Sequence, residues 1–217
     1  MTVPFKKDDL ILFTGDSITD GTRNRECRFE DPAALGAGYV SILAGKLGFE
    51  QAGLNLRFRN TGISGDRSCD MLARWDADCI EIQPDWVSIL VGVNNTWRRY
   101  DANDPTSDEL FEAECRELLE RVKSETSARM VLCSPFLLHT EESIVRMRED
   151  LDPKIGILEK LAGEYGAVWV DFDAAFVAAT EQKPPAYWAF DGVHPTIAGH
   201  ALMAGIWLEA VAGQASV

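Results

Sequence analysis

The chain has 217 residues, 46% of them hydrophobic and 26% charged, the balance of an ordinary soluble protein and enough length for one domain, residues 1–217, to bury a core without disulfides or structural metals. A formal charge of −14 repels polyanions, so nucleic acid and anionic membrane surfaces are excluded as partners in favour of a neutral or cationic small molecule. The five cysteines are scattered without CxxC spacing, and no run is apolar enough for a signal-peptide core or a membrane span, which predicts a reducing, cytoplasmic home.

The first predicted strand is Leu10 to Thr14. It runs into Gly15-Asp16-Ser17-Ile18-Thr19-Asp20-Gly21, which sets a serine hydroxyl just past the strand's carboxyl end. Serine after glycine is also ordinary turn chemistry, so this segment alone is ambiguous. A polar connection, residues 22–36, follows, and its Arg23, Arg25 and Arg28 read as solvated charge. The second strand, Leu54 to Asn60, alternates apolar with polar residues and so belongs at a sheet edge. It leads into Asn60-Thr61-Gly62-Ile63-Ser64-Gly65. The third strand, Trp86 to Gly92, is more continuously apolar and leads into Val93-Asn94-Asn95-Thr96-Trp97.

A helix is predicted to open at Thr106, with Glu109 completing a capping box and Leu110, Phe111, Cys115, Leu118, Leu119 and Val122 sharing one face. Met130 to Ser134 reads as the fourth strand. A long connection, residues 137–152, leads to a helix starting at Asp152 with Pro153 in its first turn. Ala167 to Asp171 reads as the fifth strand, and Thr196 to Ala212 as a last helix opened by Pro195. Alternating strands and helices predict an α/β fold, a three-layer α/β/α sandwich. Its five-stranded parallel sheet should take the flavodoxin-like order 2-1-3-4-5, with ligands bound beyond the strands' carboxyl ends.

The first three loops meet at that edge and bring a hydroxyl, a glycine N–H and a side-chain amide, the parts of a nucleophile and an oxyanion hole. Before the last helix stands Asp191-Gly192-Val193-His194-Pro195, where a carboxylate three residues before an imidazole could fix its tautomer and leave its other nitrogen facing Ser17. His139 and His200 have no paired motif and read as structural, and Trp86, Trp169 and Trp207 as core. Trp97 and Trp188 fall in loops of the predicted site, where an indole could stack on a sugar or simply pack.

Together these blocks resemble the SGNH, or GDSL-type, hydrolase family, in the family's order and along the whole chain. The resemblance implies the same sandwich, Ser17 as nucleophile, and Asp191 and His194 as orienter and base. It also implies oxyanion donors at Ser17, Gly62 and Asn94, a binding role for Asp16, and no cofactor or metal. One departure is Asn95, where the family usually has aspartate after the block's asparagine. The strings around Ser17, Arg74-Trp75 and Asp191 are similar to those of bacterial carbohydrate esterases that remove acetyl groups from xylan fragments. A small acyl ester, on a neutral carbohydrate such as a xylo-oligosaccharide, is therefore the expected substrate, with a same-family short-chain lipase, acylhydrolase or thioesterase as the alternative. A flavin-binding module, suggested by Thr14 to Thr19, leaves Asp191 and His194 unexplained, and a metal-dependent deacetylase lacks a third ligand at any familiar spacing. Oligomeric state is open, a homo-oligomer included.

Overall fold

In the computed structural model, which describes residues 2–216, five parallel strands form one sheet in the order β2-β1-β3-β4-β5. The strands are β1 (Leu10–Gly15), β2 (Arg57–Asn60), β3 (Trp86–Leu90), β4 (Arg129–Cys133) and β5 (Val168–Val170). The predicted order holds because burial follows the pattern legible in the residues. Every residue of β1 and β3 is buried, while β2 buries only Asn60 fully and lies at the edge. Its first half falls short of expectation, since Ala52–Leu54 turns as a 3₁₀ segment and Asn55 takes a left-handed conformation.

Successive strand residues face opposite layers. Ile11 and Phe13 pack with α2 (Tyr39–Glu50), α7 (Phe172–Ala179) and α9 (Ile197–Ala212), after the one-turn α1 (Ser17–Asp20). Leu12, Val87 and Ile89 pack with α3 (Ser68–Ala73), α5 (Asp108–Glu125) and the carboxyl half of α6 (Glu142–Tyr165). The short helices α4 (Val93–Asp101) and α8 (Pro185–Trp188) belong to the rim. Trp86 and Trp207 are buried core residues as expected, and the Trp207 indole donates to Ser88 Oγ at 2.9 Å on the central strand. Trp169 is half-buried against the opposite cluster.

Four local expectations fail for identifiable reasons. The cap of α5 is Ser107, which accepts the Leu110 N–H, because Thr106 is buried and accepts from Asn95 instead. Leu110 is half exposed rather than part of the buried face. Helix α6 does not begin at Asp152: it starts ten residues earlier at Glu142 and continues through Pro153, so most of the supposed connection is helical. Burial of Ile144, Met147, Leu151, Leu158 and Leu161 along that helix outweighs the N–H that proline lacks. Pro195 does not open α9. It pairs with Ala189 in an isolated antiparallel bridge, and Thr196 caps the helix by accepting the Gly199 N–H.

Candidate active site

Gly15 ends β1 with φ +154°, and a Cβ there would fall 2.3 Å from the Leu90 carbonyl oxygen of β3, so only glycine lets the chain turn this close to its neighbour. The turn delivers Ser17 to the first position of α1, where its N–H has no intrahelical acceptor. Ser17 Oγ lies 3.0 Å from His194 Nε2. On the far side of the ring, His194 Nδ1 lies 2.7 Å from Asp191 Oδ2. Residues separated by 177 positions thus form one hydroxyl–imidazole–carboxylate chain.

The Asp191 turn is built to hold that chain. Asp191 Oδ1 accepts the backbone N–H groups of Val193 (3.0 Å) and His194 (2.7 Å), which leaves Oδ2 for the ring. The turn is closed by the Ala189–Pro195 bridge and tied to the segment after β4 by the Leu138 N–H, which donates to Gly192 O. Burial raises the Asp191 pKa, but the His194 ring and the two N–H donors outweigh it and hold the carboxyl below its usual range. An ionised carboxylate favours the tautomer with the proton on Nδ1, so Nε2 is the acceptor facing Ser17. With both carboxylate oxygens and both ring nitrogens engaged in this way, the pair is arranged for proton transfer.

The first and second loops are fastened by side chains that pattern reading passed over. Arg74 donates to Gly15 O, Thr61 O, Asp66 and Asp78, linking the ends of β1 and β2 through one guanidinium. Buried Asp20 accepts the Ser64 N–H and pairs with Arg25, while Arg23 Nε donates to Gly62 O. These two arginines therefore staple loops, whereas Arg28 is exposed beside Glu30. Arg74 stands in one of the quoted strings, and Asp78 lies one helical turn beyond it, but the carbonyls of Gly15 and Thr61 are distant in sequence and only the fold reveals them.

Gly62 does not offer its N–H to a substrate. Asn60 Oδ1 accepts it at 2.9 Å, and a Cβ on Gly62 would lie 2.5 Å from the Asp20 nitrogen, so this glycine serves close packing. In the same loop the N–H of Gly65, an exposed residue, finds no acceptor among the described residues. Asn94 Nδ2 donates to the carbonyl of the next residue, Asp66, at 3.1 Å, which brings that amide beside Gly65 and leaves one of its two N–H groups uncommitted. Asn95 is fully buried: its Oδ1 accepts the Ser68 N–H and its Nδ2 donates to Ser68 Oγ and Thr106 Oγ1. Its donors suit an amide at this position better than a carboxylate.

Asp16 points inward rather than towards a substrate. It is 1% exposed, accepts the Ile18 N–H through Oδ1, and leaves Oδ2 buried without a partner among the described residues. Burial pushes its pKa up to about 7, against the smaller opposing pull of the Ile18 N–H. Between the ordinary value of 3.8 and about 7 the folded protein keeps a proton that the unfolded chain has released, so this group makes stability fall as pH rises through that window. Asp16→Asn should flatten that decline. Thermal midpoints of variant and wild type, compared at pH 4.5 and 8, should converge on the acid side and favour the variant on the alkaline side, and parallel curves would contradict the assignment.

The two tryptophans of the predicted site sit elsewhere. Trp188 is half-buried and donates through its indole to Ala179 O, and Trp97 lines a separate cleft of about 320 Å³ with Tyr100 and Met147. Neither borders the cavity at Ser17 and His194. The aromatic at the site is Phe190, 63% exposed and stacked on the His194 ring at 6.1 Å between centroids. Its place directly before Asp191 was the available signal.

The fold and this constellation define a serine hydrolase of the α/β/α type, and the chain belongs to the GDSL-like lipase/acylhydrolase family, whose model matches residues 13–202. It is a serine carboxylic ester hydrolase. Among its relatives, an acetylxylan esterase from Geobacillus stearothermophilus is 36% identical over 204 residues, 93% of each chain. A crystal structure of an acetylxylan esterase from that organism matches with a TM-score of 0.88 at 35% identity, covering 97% of this chain and 96% of the other. A protein described as a GDSL-like lipase from Parabacteroides merdae matches with a TM-score of 0.92 at 37% identity, covering 97% and 99%.

Proposed function

We propose that residues 1–217 form one catalytic unit that removes acetyl groups from neutral carbohydrates, xylo-oligosaccharides foremost, by two-step acyl transfer. Ser17, deprotonated by His194, attacks the ester carbonyl, His194 protonates the departing alcohol, and water hydrolyses the acyl-enzyme with the same base. Asp191 orients the imidazole and stabilises its charged form. The Ser17 N–H, the Gly65 N–H and the Asn94 amide receive the developing oxyanion, with Gly65 taking the role first expected of Gly62. The single observation that carries the mechanism is the continuous hydrogen-bonded chain from Ser17 through His194 to Asp191.

The acetyl–sugar reading draws on the acetylxylan esterases among the relatives and on the exposed Phe190 ring, an apolar face on which a sugar can lie. The negative surface charge disfavours anionic membranes, and among the described residues no helix is long and apolar enough to cross one. Five free thiols fit a reducing cytoplasm, where soluble oligosaccharides rather than polymer are the substrates at hand.

Catalytic efficiency on acetylated xylobiose, simple acetyl esters and long-chain acyl esters tests the substrate class. Acetylated sugar should lead and turnover should fall gradually with chain length, since each methylene is worth only about 0.8 kcal/mol. Preference for long chains, or indifference to the sugar, would refute the assignment. Asn94→Ala should lower kcat roughly 100- to 1000-fold with little change in KM, as expected for a donor used mainly in the transition state. A pure KM defect would make Asn94 a binding residue instead.

A further inference from the structure

The N-terminus of α2 is capped by a residue with no side chain, Gly38. The missing acceptor comes from α9: His200 Nδ1 accepts the Tyr39 N–H at 3.2 Å. A nitrogen that accepts carries no proton, so the neutral ring has its hydrogen on Nε2. Gly38 also makes room for the ring, since a Cβ there would lie 3.1 Å from His200 Cε1.

Among the described residues His200 Nε2 has no protein partner, and the atom is not sealed from solvent. The ring lines a cavity of about 210 Å³ together with Ser17, His194, Thr22, Ala37 and Pro195. Ser17 and His194 border this cavity whereas Gly65 and Asn94 do not, so it lies on the His194 side of Ser17, away from those two oxyanion donors. The departing alcohol must occupy that side, because its oxygen takes its proton from His194.

We propose that His200 is a specificity residue for the substrate's alcohol portion, its Nε2–H donating a hydrogen bond to a sugar hydroxyl next to the scissile ester. The inference rests on the Ser17–His194 mechanism and adds a recognition element to it. Burial, reinforced by the nearby His194, lowers the His200 pKa to about 4, so the ring stays neutral with its tautomer fixed and does not compete as a base. A donor that loses water to the bound alcohol and finds no hydroxyl there penalises the wrong substrate, which is how a neutral site selects a sugar over a plain alcohol.

The test compares two monoacetates of methyl xyloside, one with the neighbouring hydroxyl intact and one with it replaced by hydrogen, on wild type, His200→Phe and His200→Gln. Wild type should favour the hydroxylated ester roughly tenfold in kcat/KM, and His200→Phe should bring the ratio close to unity. Glutamine can accept the Tyr39 N–H and still donate, so His200→Gln should keep part of the preference. A ring that only caps α2 would depress both esters alike, so an unchanged ratio in His200→Phe overturns the proposal whatever happens to absolute rates. No preference in wild type overturns it as well, without recourse to a variant. Failure of wild type to hydrolyse either ester, with simple acetyl esters still cleaved, would refute the acetyl–sugar reading on which the inference rests.

Discussion

Replacing Ser17 with alanine should lower ester hydrolysis by at least ~10,000-fold while leaving the fold intact, because the lost hydroxyl is the group that forms the acyl-enzyme. Among the described residues Ser17 makes one side-chain hydrogen bond, to His194 Nε2 at 3.0 Å, and its side chain is not part of the buried core, so little stability should go with it. Thermal unfolding of Ser17→Ala should match wild type within a few degrees, and kcat should carry the defect. Retention of most activity would exclude this serine as nucleophile.

Asp191→Asn should be almost as severe, on the order of 10,000-fold in kcat, by a different route. Asn Oδ1 can keep the N–H groups of Val193 and His194, which preserves the turn. The amide would then donate to His194 Nδ1, forcing the ring proton onto Nε2 and turning the base into a donor towards Ser17. Asp191→Ala adds loss of the turn itself, so a larger stability defect in alanine than in asparagine, with similar loss of turnover, is expected from paired melting and kinetic measurements. An asparagine variant of near-normal rate would mean that the carboxylate does not set the tautomer.

The sheet order and the aspartate–histidine pair were legible because each rests on short-range pattern, and the link to Ser17, 177 positions away, because the strand order brings the loops to one sheet edge. An alternating strand belongs at an edge, and a carboxylate three residues before a histidine on a proline-bounded turn points at its own ring. What the pattern could not reveal depends on contacts across the fold. Gly62 and Gly65 look equivalent as donors until Asn60 is seen to occupy one of them. Asp16 beside the nucleophile looks available to substrate, but the α1 turn rotates it inward. Asn95 looks like a loss relative to the family's aspartate until Ser68 and Thr106 supply partners that need an amide. Pro153 reads as a helix start, and only the buried stripe on both sides of it explains why α6 runs through. In each case a tertiary contact outweighs a local preference.

The central claim is that hydrolysis passes through a covalent acyl group on Ser17. Treating the protein with a serine-directed phosphonate and mapping the modified peptide by mass spectrometry tests it most directly. A single adduct on Ser17, accumulating in step with loss of esterase activity and absent from Ser17→Ala, is the predicted result. Complete modification of Ser17 with activity retained, or inactivation with the adduct on another residue, would contradict it.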